Sequence, residues 1–261
     1  MDLRKRLEVI ARQAGASLFG VGPVSRFEGA PSGHHPSDWV SGAECVISIG
    51  MQIPPAIIAY ERYLGNSPWI RGDLRKEVLL DHFYGQMGYD VINRKLDEIG
   101  LLLVLELEDQ GFTSVSFPAT YGDSQRNLHD RIPGRVGLVS HRHAAVRCGL
   151  GEFGLNSIVV TPAYGPRVRF TTVVTRAALE PSPLLRDKVC LGEACRMCID
   201  NCGPGAITLM DQAAGDGVWL DPVSRTNQDL CRGHRRDMFC HGRCARVCPV
   251  GLRSELQWES K

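Results

Sequence analysis

Hydrophobic positions along the chain switch between helical and strand-like spacing, which predicts a mixed α/β fold. Leu3, Leu7 and Ile10 recur at helical spacing. The amphipathic helix that they predict should end near Gly15. Short apolar runs bounded by Gly, Pro or polar residues predict buried strands. These runs are SLFGVGPV, CVISIGM, FTSVSF, SIVVT and VRFTTVVT.

A long helical pattern occupies the middle of the first half of the chain. Asp73 is a candidate N-cap for it, and Gly111 should close it. Three glycines inside the pattern predict that it is broken into shorter helices; they are Gly85, Gly88 and Gly100. Residues 118–143 then form a long polar connection, and a connection of that length is usually functional or disordered.

Composition and charge narrow the class of protein. The 261 residues are 43% hydrophobic and 23% charged, which is typical of a globular chain. With 30 basic and 29 acidic residues the net charge is +1, so charge gives no reason to expect nucleic acid as a partner. No apolar run approaches the ~20 residues that span a bilayer. The N-terminus has no apolar core typical of a secretory signal, and we therefore expect a cytoplasmic protein.

The ten cysteines are distributed unevenly. Cys45 and Cys148 stand alone in apolar surroundings, whereas the other eight lie in the last 72 residues of the sequence. The first four follow the spacing C-x4-C-x2-C-x3-C: Cys190, Cys195, Cys198 and Cys202. The second four follow C-x8-C-x3-C-x3-C-P: Cys231, Cys240, Cys244 and Cys248. Because the cytoplasm keeps thiols reduced, the pattern favours metal binding over structural disulfides.

Two kinds of metal site take four thiolates. Structural zinc sites usually bring their ligands in two separated pairs, whereas each group here ends in the C-x3-C step of a cluster motif. The pattern therefore favours two [4Fe–4S] clusters in a ferredoxin-like domain. In two-cluster ferredoxins the fourth cysteine serves the other cluster, which would exchange Cys202 and Cys248 between the groups. Both spacings depart from the bacterial pattern, so the pairing of cysteines with clusters stays open.

These observations predict two domains. Residues 1–180 should form an α/β cofactor-binding domain, and residues 181–261 a ferredoxin-like domain with two [4Fe–4S] clusters. The stretch RAALEPSPLLRDK is suited to a linker between them. Within the tail, GAITLM and GVWLD are expected to pair as small antiparallel strands.

The segment GLGEFGLNSIVVTPAYGPRVR, followed by paired cysteine groups, resembles the cobalamin-dependent epoxyqueuosine reductase and reductive dehalogenase superfamily. The order of RQAGASLFGVGPV, DWVSGAECVISIGM and YDVINRKLDEIG is similar to that family too. The resemblance implies a nitroreductase-like α+β sandwich that binds base-off cobalamin next to one cluster. It also implies that a set of loop residues lines this corrinoid: Gly149, Gly151, Gly154, Asn156, Tyr164 and Gly165.

The proton donor is less clearly marked. The aspartate that epoxyqueuosine reductases carry at a strand end has no counterpart in SVSFPAT. Candidates in the long connection are Tyr121, Asp123 and Arg131, with Tyr121 first, because a nearby cation favours the phenolate left after proton transfer. His141 and His143 are expected to face water.

The leading hypothesis is an oxidoreductase of this type, in which two [4Fe–4S] clusters pass electrons to a corrinoid that reduces a small molecule or modified nucleoside. An external donor such as a ferredoxin or flavodoxin would supply the electrons. We expect no membrane partner. Nucleic acid is also not expected, since the sequence ends at Lys261 without the RNA-holding helical repeats of epoxyqueuosine reductases. The alternative is an electron-transfer protein or reductive activator of a separate corrinoid enzyme.

Overall fold

The structure, a computed structural model, describes residues 2–58, 68–120, 137–210, 220–222, 224–238, 240 and 242–252. The chain divides into two compact units, each built from three segments. Unit 1 comprises Met1–Met51, Asn93–Leu150 and Arg169–Leu184. Unit 2 comprises Gln52–Ile92, Gly151–Val168 and Leu185–Lys261. The predicted domain boundary between residues 180 and 181 stays a prediction.

The described residues form helices and short strands. The strands are β1 (Leu18–Pro23), β2 (Cys45–Gln52), β3 (Ser114–Phe117), β4 (Glu152–Phe153), β5 (Val159–Val160), β6 (Val168–Thr175), β7 (Ile207–Leu209) and β8 (Ser224–Thr226). The α-helices are α1 (Leu3–Gln13), α2 (Pro36–Trp39), α3 (Pro55–Ile58), α4 (Gly72–Val78), α5 (Ile92–Asp109), α6 (His141–Arg147), α7 (Met197–Asp200), α8 (Gln228–Met238) and α9 (Arg243–Arg246). A π-helical segment, Leu79–Val91, lies between α4 and α5. The predicted α/β class is confirmed.

A four-stranded sheet in the order β1-β2-β6-β3 forms the centre of unit 1. β1 pairs antiparallel with β2, and β3 pairs antiparallel with β6. Side chains of neighbouring strand residues point to opposite faces of a sheet. Ser116 and Phe117 at the end of β3 therefore mark the two faces, and both are covered.

Helix α5 covers the Ser116 face. Its buried leucine and isoleucine positions follow a helical repeat: Leu96, Ile99, Leu103 and Leu107. The helix comes close to the sheet at Gly100, where an added Cβ would meet the Ser116 side chain. The close approach explains why a residue without a side chain occupies this helical position.

A cluster of buried residues covers the Phe117 face. Its members come from β2, β3, β6, α2, α6 and the segments around them: Phe27, Val40, Val46, Phe117, Val139, Ala144, Cys148 and Val174. Trp39 packs its ring edge-on against Phe117, with 5.9 Å between the ring centroids. Unit 1 is thus a sheet between two layers, with Cys148 in its apolar core.

Unit 2 contains the helical residues from Gly72 to Val91, the helix α8 and several smaller elements. β4 and β5 form one antiparallel pair, and β7 and β8 form another. The helices α7 and α9 contact each other, and each is only four residues long. Helices this short do not form stably in isolation, so their conformation depends on what they pack against or bind.

The strand predictions are confirmed for all five apolar runs, and α1 ends where the sequence pattern predicted. The prediction for the long helical stretch was wrong in two respects. Arg71, not Asp73, is the N-cap residue of α4. Helical residues continue from Gly72 to Asp109, so the internal glycines do not separate them. Gly88 has a packing role instead, because an added Cβ would lie 2.9 Å from Ile57 Cγ2.

The predicted strand pair in the tail was half right. Residues 207–209 do form a strand, but their partner is Ser224–Thr226 and not residues 217–221. Positions 217–219 lie outside the described residues, as do positions 121–136 of the long connection. None of the helices in the described part of the chain is long and apolar enough to cross a membrane.

Candidate metal centre

Four cysteines from distant parts of unit 2 line one cavity. Cys190, Cys195 and Cys198 come from the first sequence group, and Cys248 from the second. Apolar residues complete the wall, among them Leu155, Val160, Met197 and Val250. The structure therefore places Cys248 beside the first group, which is the exchange expected in a two-cluster ferredoxin.

The remaining four cysteines are close enough to influence one another electrostatically. The thiolate charges that raise the pKa of Cys244 are those of Cys240, Cys198, Cys231 and Cys202. Cys202 and the second sequence group thus lie near Cys244, and Cys198 of the cavity lies near it as well. The two groups of four are neighbours within unit 2.

Burial is the main reason that these thiols resist ionisation. It raises the pKa of Cys198 to about 12, and the neighbouring charges of Cys190, Cys248 and Cys195 add to the rise. Burial followed by the surrounding thiolates likewise raises the pKa of Cys244 to about 12. Four thiolates in one such pocket repel each other unless a cation binds them, since a metal deprotonates a coordinating thiol outright.

The cysteines do not converge on a point. Among the described residues, no group of three His, Cys, Asp or Glu side chains is placed to hold a single metal ion. A [4Fe–4S] cluster does not require this, because each thiolate binds a different iron at a different corner of the cube. Four thiols around one apolar cavity are compatible with such a cluster.

Glu152 fixes the chain at the first cysteine. Its buried Oε1 accepts hydrogen bonds from the backbone N–H groups of Val189 at 2.6 Å and Cys190 at 2.5 Å. Burial raises the pKa of this carboxyl, and the two N–H donors oppose the rise because they favour the ionised form. Glu152 thereby holds the start of the first cysteine group in place.

Asn156 and Ser157 hold the second half of the tail. The amide Nδ2 of Asn156 donates to the Cys244 carbonyl at 3.4 Å, and its Oδ1 accepts from the N–H of Ile158 at 3.2 Å. The buried hydroxyl of Ser157 donates to the Ser224 carbonyl at 3.0 Å. The segment from β4 to β5 thus donates hydrogen bonds to the backbone at two places in the tail, Ser224 and Cys244.

Arg167 binds the loop that contains Cys248. Its Nη1 donates to the carbonyl oxygens of Ala245 at 3.1 Å and Cys248 at 2.9 Å. Its Nη2 donates to the carbonyl oxygen of Val250. Three carbonyls within six residues therefore share one guanidinium group, which holds this loop in a single conformation.

The predicted corrinoid-lining residues are placed near these loops. An added Cβ at Gly154 would lie 3.6 Å from Cys190 Sγ, and one at Gly165 would meet the Val250 carbonyl. The corresponding space at Gly151 is taken by Val160, and at Gly149 in unit 1 by the Pro183 carbonyl. Tyr164 is half-buried, and its N–H donates to Thr161 Oγ1 at 3.2 Å.

The chain's own atoms therefore occupy the position of a Cβ at each of these four glycines. The glycines serve close packing of backbone segments. Their contact with a corrinoid stays a prediction.

Comparisons with known proteins address the family. No family model matches the sequence. An epoxyqueuosine reductase from Bacillus anthracis is 24% identical over 173 residues, which is 66% of this chain and 38% of that protein. One from Bacillus subtilis is 25% identical over 150 residues, 58% of this chain and 33% of that protein. The chain thus matches little more than a third of the length of these relatives.

Solved structures show the same fold over nearly the whole chain. An epoxyqueuosine reductase bound to an epoxyqueuosine-modified tRNA stem loop superposes with a TM-score of 0.58, at 18% identity, over 98% of this chain and 69% of that one. A catabolic reductive dehalogenase in complex with 3-bromo-4-hydroxybenzoic acid gives 0.61 at 17% identity over 96% of this chain and 32% of that one. The chain resembles the epoxyqueuosine reductase and reductive dehalogenase superfamily. The predicted resemblance is confirmed.

The sequence predicted a proton donor in the long connection. The predicted residues Tyr121, Asp123 and Arg131 lie outside the described residues, so their roles stay predictions. The chain enters that stretch directly from Thr120, just after the end of β3.

Polar side chains in unit 1 form hydrogen bonds with the backbone of Pro118 and Ala119, just before this stretch. The Asp97 Oδ1 accepts a hydrogen bond from the Ala119 N–H at 2.7 Å. His141 Nε2 donates to the Pro118 carbonyl at 2.9 Å, and His141 Nδ1 lies 2.8 Å from Thr172 Oγ1. The expectation that His141 faces water was wrong, because both ring nitrogens have protein partners. Burial lowers the pKa of His141 to about 4, so the ring is neutral at pH 7.

Sequence reasoning gave no role to Glu152, Arg167 or Asp97, and it expected His141 to face water. A usable signal existed for two of them. Glu152 is a charged residue within the glycine-rich stretch GLGEFG, and Arg167 is one directly before the apolar run VRFTTVVT. A charge at such a position is expected to have a specific buried partner. The isolated Cys45 and Cys148 are buried core thiols, as predicted.

Proposed function

We propose that this protein is an iron–sulfur oxidoreductase in which two [4Fe–4S] clusters deliver electrons to base-off cobalamin. The substrate reduced is a small molecule or a modified nucleoside. Cys190, Cys195, Cys198 and Cys248 hold one cluster in this proposal, and Cys202, Cys231, Cys240 and Cys244 hold the other.

One observation carries the proposal: four cysteines that are separated in sequence line a single cavity, with the other four beside it. Two adjacent clusters form an electron path, since each can exchange an electron with its neighbour. The proximity of Cys198 to Cys244 is where the two sites come closest in this interpretation.

The corrinoid part of the proposal rests on the relatives. A reductive dehalogenase with the same fold is described as catalysing B12-dependent dehalogenation. When bound, a corrinoid supplies a cobalt centre that can transfer electrons to an organic substrate. This chain's own residues would bind and orient the groups: Glu152 and Arg167 hold the cysteine loops, and Tyr121 is the proposed proton donor.

The first test is metal and cofactor analysis of protein purified without oxygen. We expect about eight irons and eight sulfides per chain, as two [4Fe–4S] clusters require. Visible spectra recorded during addition of cobalamin should change to the base-off form. Zinc in place of iron would contradict the cluster assignment.

The same measurement distinguishes the alternative function. About eight irons per chain without any affinity for cobalamin would support an electron carrier for a separate enzyme. In that case reduction of a partner, and not of a small substrate, becomes the activity to assay.

A cysteine variant tests the electron path. Cys198→Ala should abolish reduction of substrate while base-off cobalamin binding persists, because the cavity site loses a ligand at its centre. Cys45→Ala is the matched control, since Cys45 is a buried thiol of the unit 1 core. Full activity in Cys198→Ala would exclude a role for this cluster in electron delivery.

A further inference from the structure

Arg167 is the largest fully buried side chain in the described part of the chain. A guanidinium group has no neutral form in proteins, because its pKa lies above 12. Burying an unpaired charge is costly, and buried charges in proteins are normally paired or bind metals. The structure must therefore provide something that compensates this charge.

The hydrogen bonds of Arg167 do not supply a counter-charge. Its donors bind the carbonyl oxygens of Ala245, Cys248 and Val250, which are dipoles and carry no net charge. The ion pairs found among the described residues involve other side chains. Three of its five N–H donors thus bind carbonyl oxygens, yet the positive charge has no carboxylate beside it in the described chain.

The cysteine cavity supplies the missing negative charge. Cys248 lies next to the Arg167 guanidinium: its carbonyl accepts a hydrogen bond at 2.9 Å, and its thiolate interacts electrostatically with the arginine. Four thiolates around an iron–sulfur core leave the whole site with a net negative charge. A cluster in this cavity would therefore be the anion that the buried arginine lacks.

We propose that Arg167 is the built-in counter-charge of the cluster held by Cys190, Cys195, Cys198 and Cys248, and that it raises the reduction potential of this cluster. The proposal rests on the proposed function. Reduction adds one electron and makes the site more negative. A fixed buried cation stabilises the reduced form more than the oxidised form, so the potential is higher with Arg167 than without it.

Arg167 also has a positioning role through its hydrogen bonds. A lysine at this position would keep the charge but could not bridge three carbonyls, because its ammonium lacks the planar fork of five donors. The two roles can therefore be separated by two substitutions. Arg167→Met removes both charge and fork, and Arg167→Lys removes the fork alone.

The experiment measures the midpoint potential of each cluster by EPR-monitored redox titration of the purified holoprotein, together with iron per chain. Arg167→Met should shift the midpoint potential of one cluster to a more negative value. The midpoint potential of the other cluster should change less. Arg167→Lys should keep that potential close to the wild-type value while the cluster is lost faster to a chelator. Arg186→Met is the control, because Arg186 is exposed and water screens its charge.

The outcomes separate this inference from the proposed function. Absence of iron from the wild type would remove the proposed function itself. If Arg167→Met holds two clusters with unchanged midpoint potentials, the inference that Arg167 is a counter-charge is wrong, while the proposed function stands. If Arg167→Met does not retain iron, Arg167→Lys decides: a wild-type-like potential supports the charge role. Loss of iron from both variants, with a normal Arg186→Met, would show that the hydrogen-bonding fork alone matters and would overturn the inference.

Discussion

Cys198 and Cys244 show how single residues define the two cysteine sites. Both are half-buried. Cys198 lies near three cysteines and Cys244 near four, and in each case they come from both sequence groups. Cys248 is the residue that joins the first site although it belongs to the second group in sequence. In the proposed pairing, each site therefore takes ligands from both sequence groups.

The proposed pairing gives a prediction for iron content. Cys198→Ala and the double variant Cys198→Ala/Cys248→Ala should each retain about four of about eight irons, because both changes affect the same cluster. Cys198→Ala/Cys244→Ala should lose nearly all iron, since it removes a ligand from each cluster. Iron and sulfide analysis checks this. Near-complete loss of iron in Cys198→Ala/Cys248→Ala alone would show that the pairing is different.

His141 gives unit 1 a pH dependence. In the unfolded chain its ring has the ordinary pKa of 6.5, whereas burial lowers the pKa to about 4 in the folded protein. Between these values the unfolded chain binds a proton at this ring and the folded protein does not. The contribution of His141 to the free energy of unfolding therefore decreases as the pH falls from 6.5 to about 4, and it levels off below that.

The His141→Gln variant should lose this part of the pH dependence. We expect its thermal unfolding midpoint to change less between pH about 7 and about 5 than that of the wild type. His82→Gln is the control, because the His82 side chain is exposed. Calorimetry without oxygen measures the midpoints. If the unfolding midpoint changes equally with pH in the wild type and in His141→Gln, this histidine is not the source of the pH dependence.

At the scale of elements, unit 2 is held together where short segments approach each other closely. Gly165 has a φ of +56° and lies against the backbone of Val250, on the loop that follows Cys248. Arg167, two residues later, binds the same loop. The turn before β6 and the end of the cysteine tail are thus packed backbone against backbone.

Gly165→Ala should therefore destabilise unit 2 strongly. The positive φ alone costs an alanine roughly 1–2 kcal/mol, and overpacking against the Val250 carbonyl adds roughly 1–3 kcal/mol. Gly72→Ala is matched in backbone conformation, with a φ of +60°, but an added Cβ meets nothing within 4 Å there. Denaturant unfolding of both variants isolates the contact. Similar losses in the two variants would show that the Val250 contact contributes little.

At the scale of the whole molecule, the two units differ in what stabilises them. Unit 1 has a four-stranded sheet with apolar residues on both faces. The tail of unit 2 has one helix of 11 residues, two of four residues, a two-stranded sheet and eight cysteines among its described residues. Binding free energy of a metal centre becomes folding free energy in such a segment, because the unfolded chain has no preformed site.

Removal of the clusters should therefore affect the units unequally. After treatment with a chelator and reductant, amide hydrogen exchange should become fast in residues 190–252. The strands Leu18–Pro23 and Cys45–Gln52 should keep their protection, because their hydrogen bonds lie within unit 1. Mass spectrometry of exchanged peptides measures this. Unchanged protection of the tail in the iron-free protein would show that it folds without clusters.

The sequence by itself determined the features that depend on local order. Periodicity of apolar residues located α1 and the strands of the main sheet, because side-chain direction repeats along each element in a fixed way. Cysteine spacing predicted the ligand set, since the residues near a cluster must lie within a short stretch of chain. The motif at residues 149–169 indicated a resemblance to epoxyqueuosine reductases, and the comparisons confirmed this resemblance.

The tertiary structure decided which distant residues meet. The helical residues continue through Gly88. A small residue is needed at this position because an added Cβ would lie against Ile57. No local pattern could place Cys248 with Cys190, bury His141 between Pro118 and Thr172, or direct Arg167 to the carbonyls after Ala245. These contacts join residues between 23 and 83 positions apart. They form only when the folded core brings the segments together. Burial then strengthens the electrostatic interactions of the charged groups.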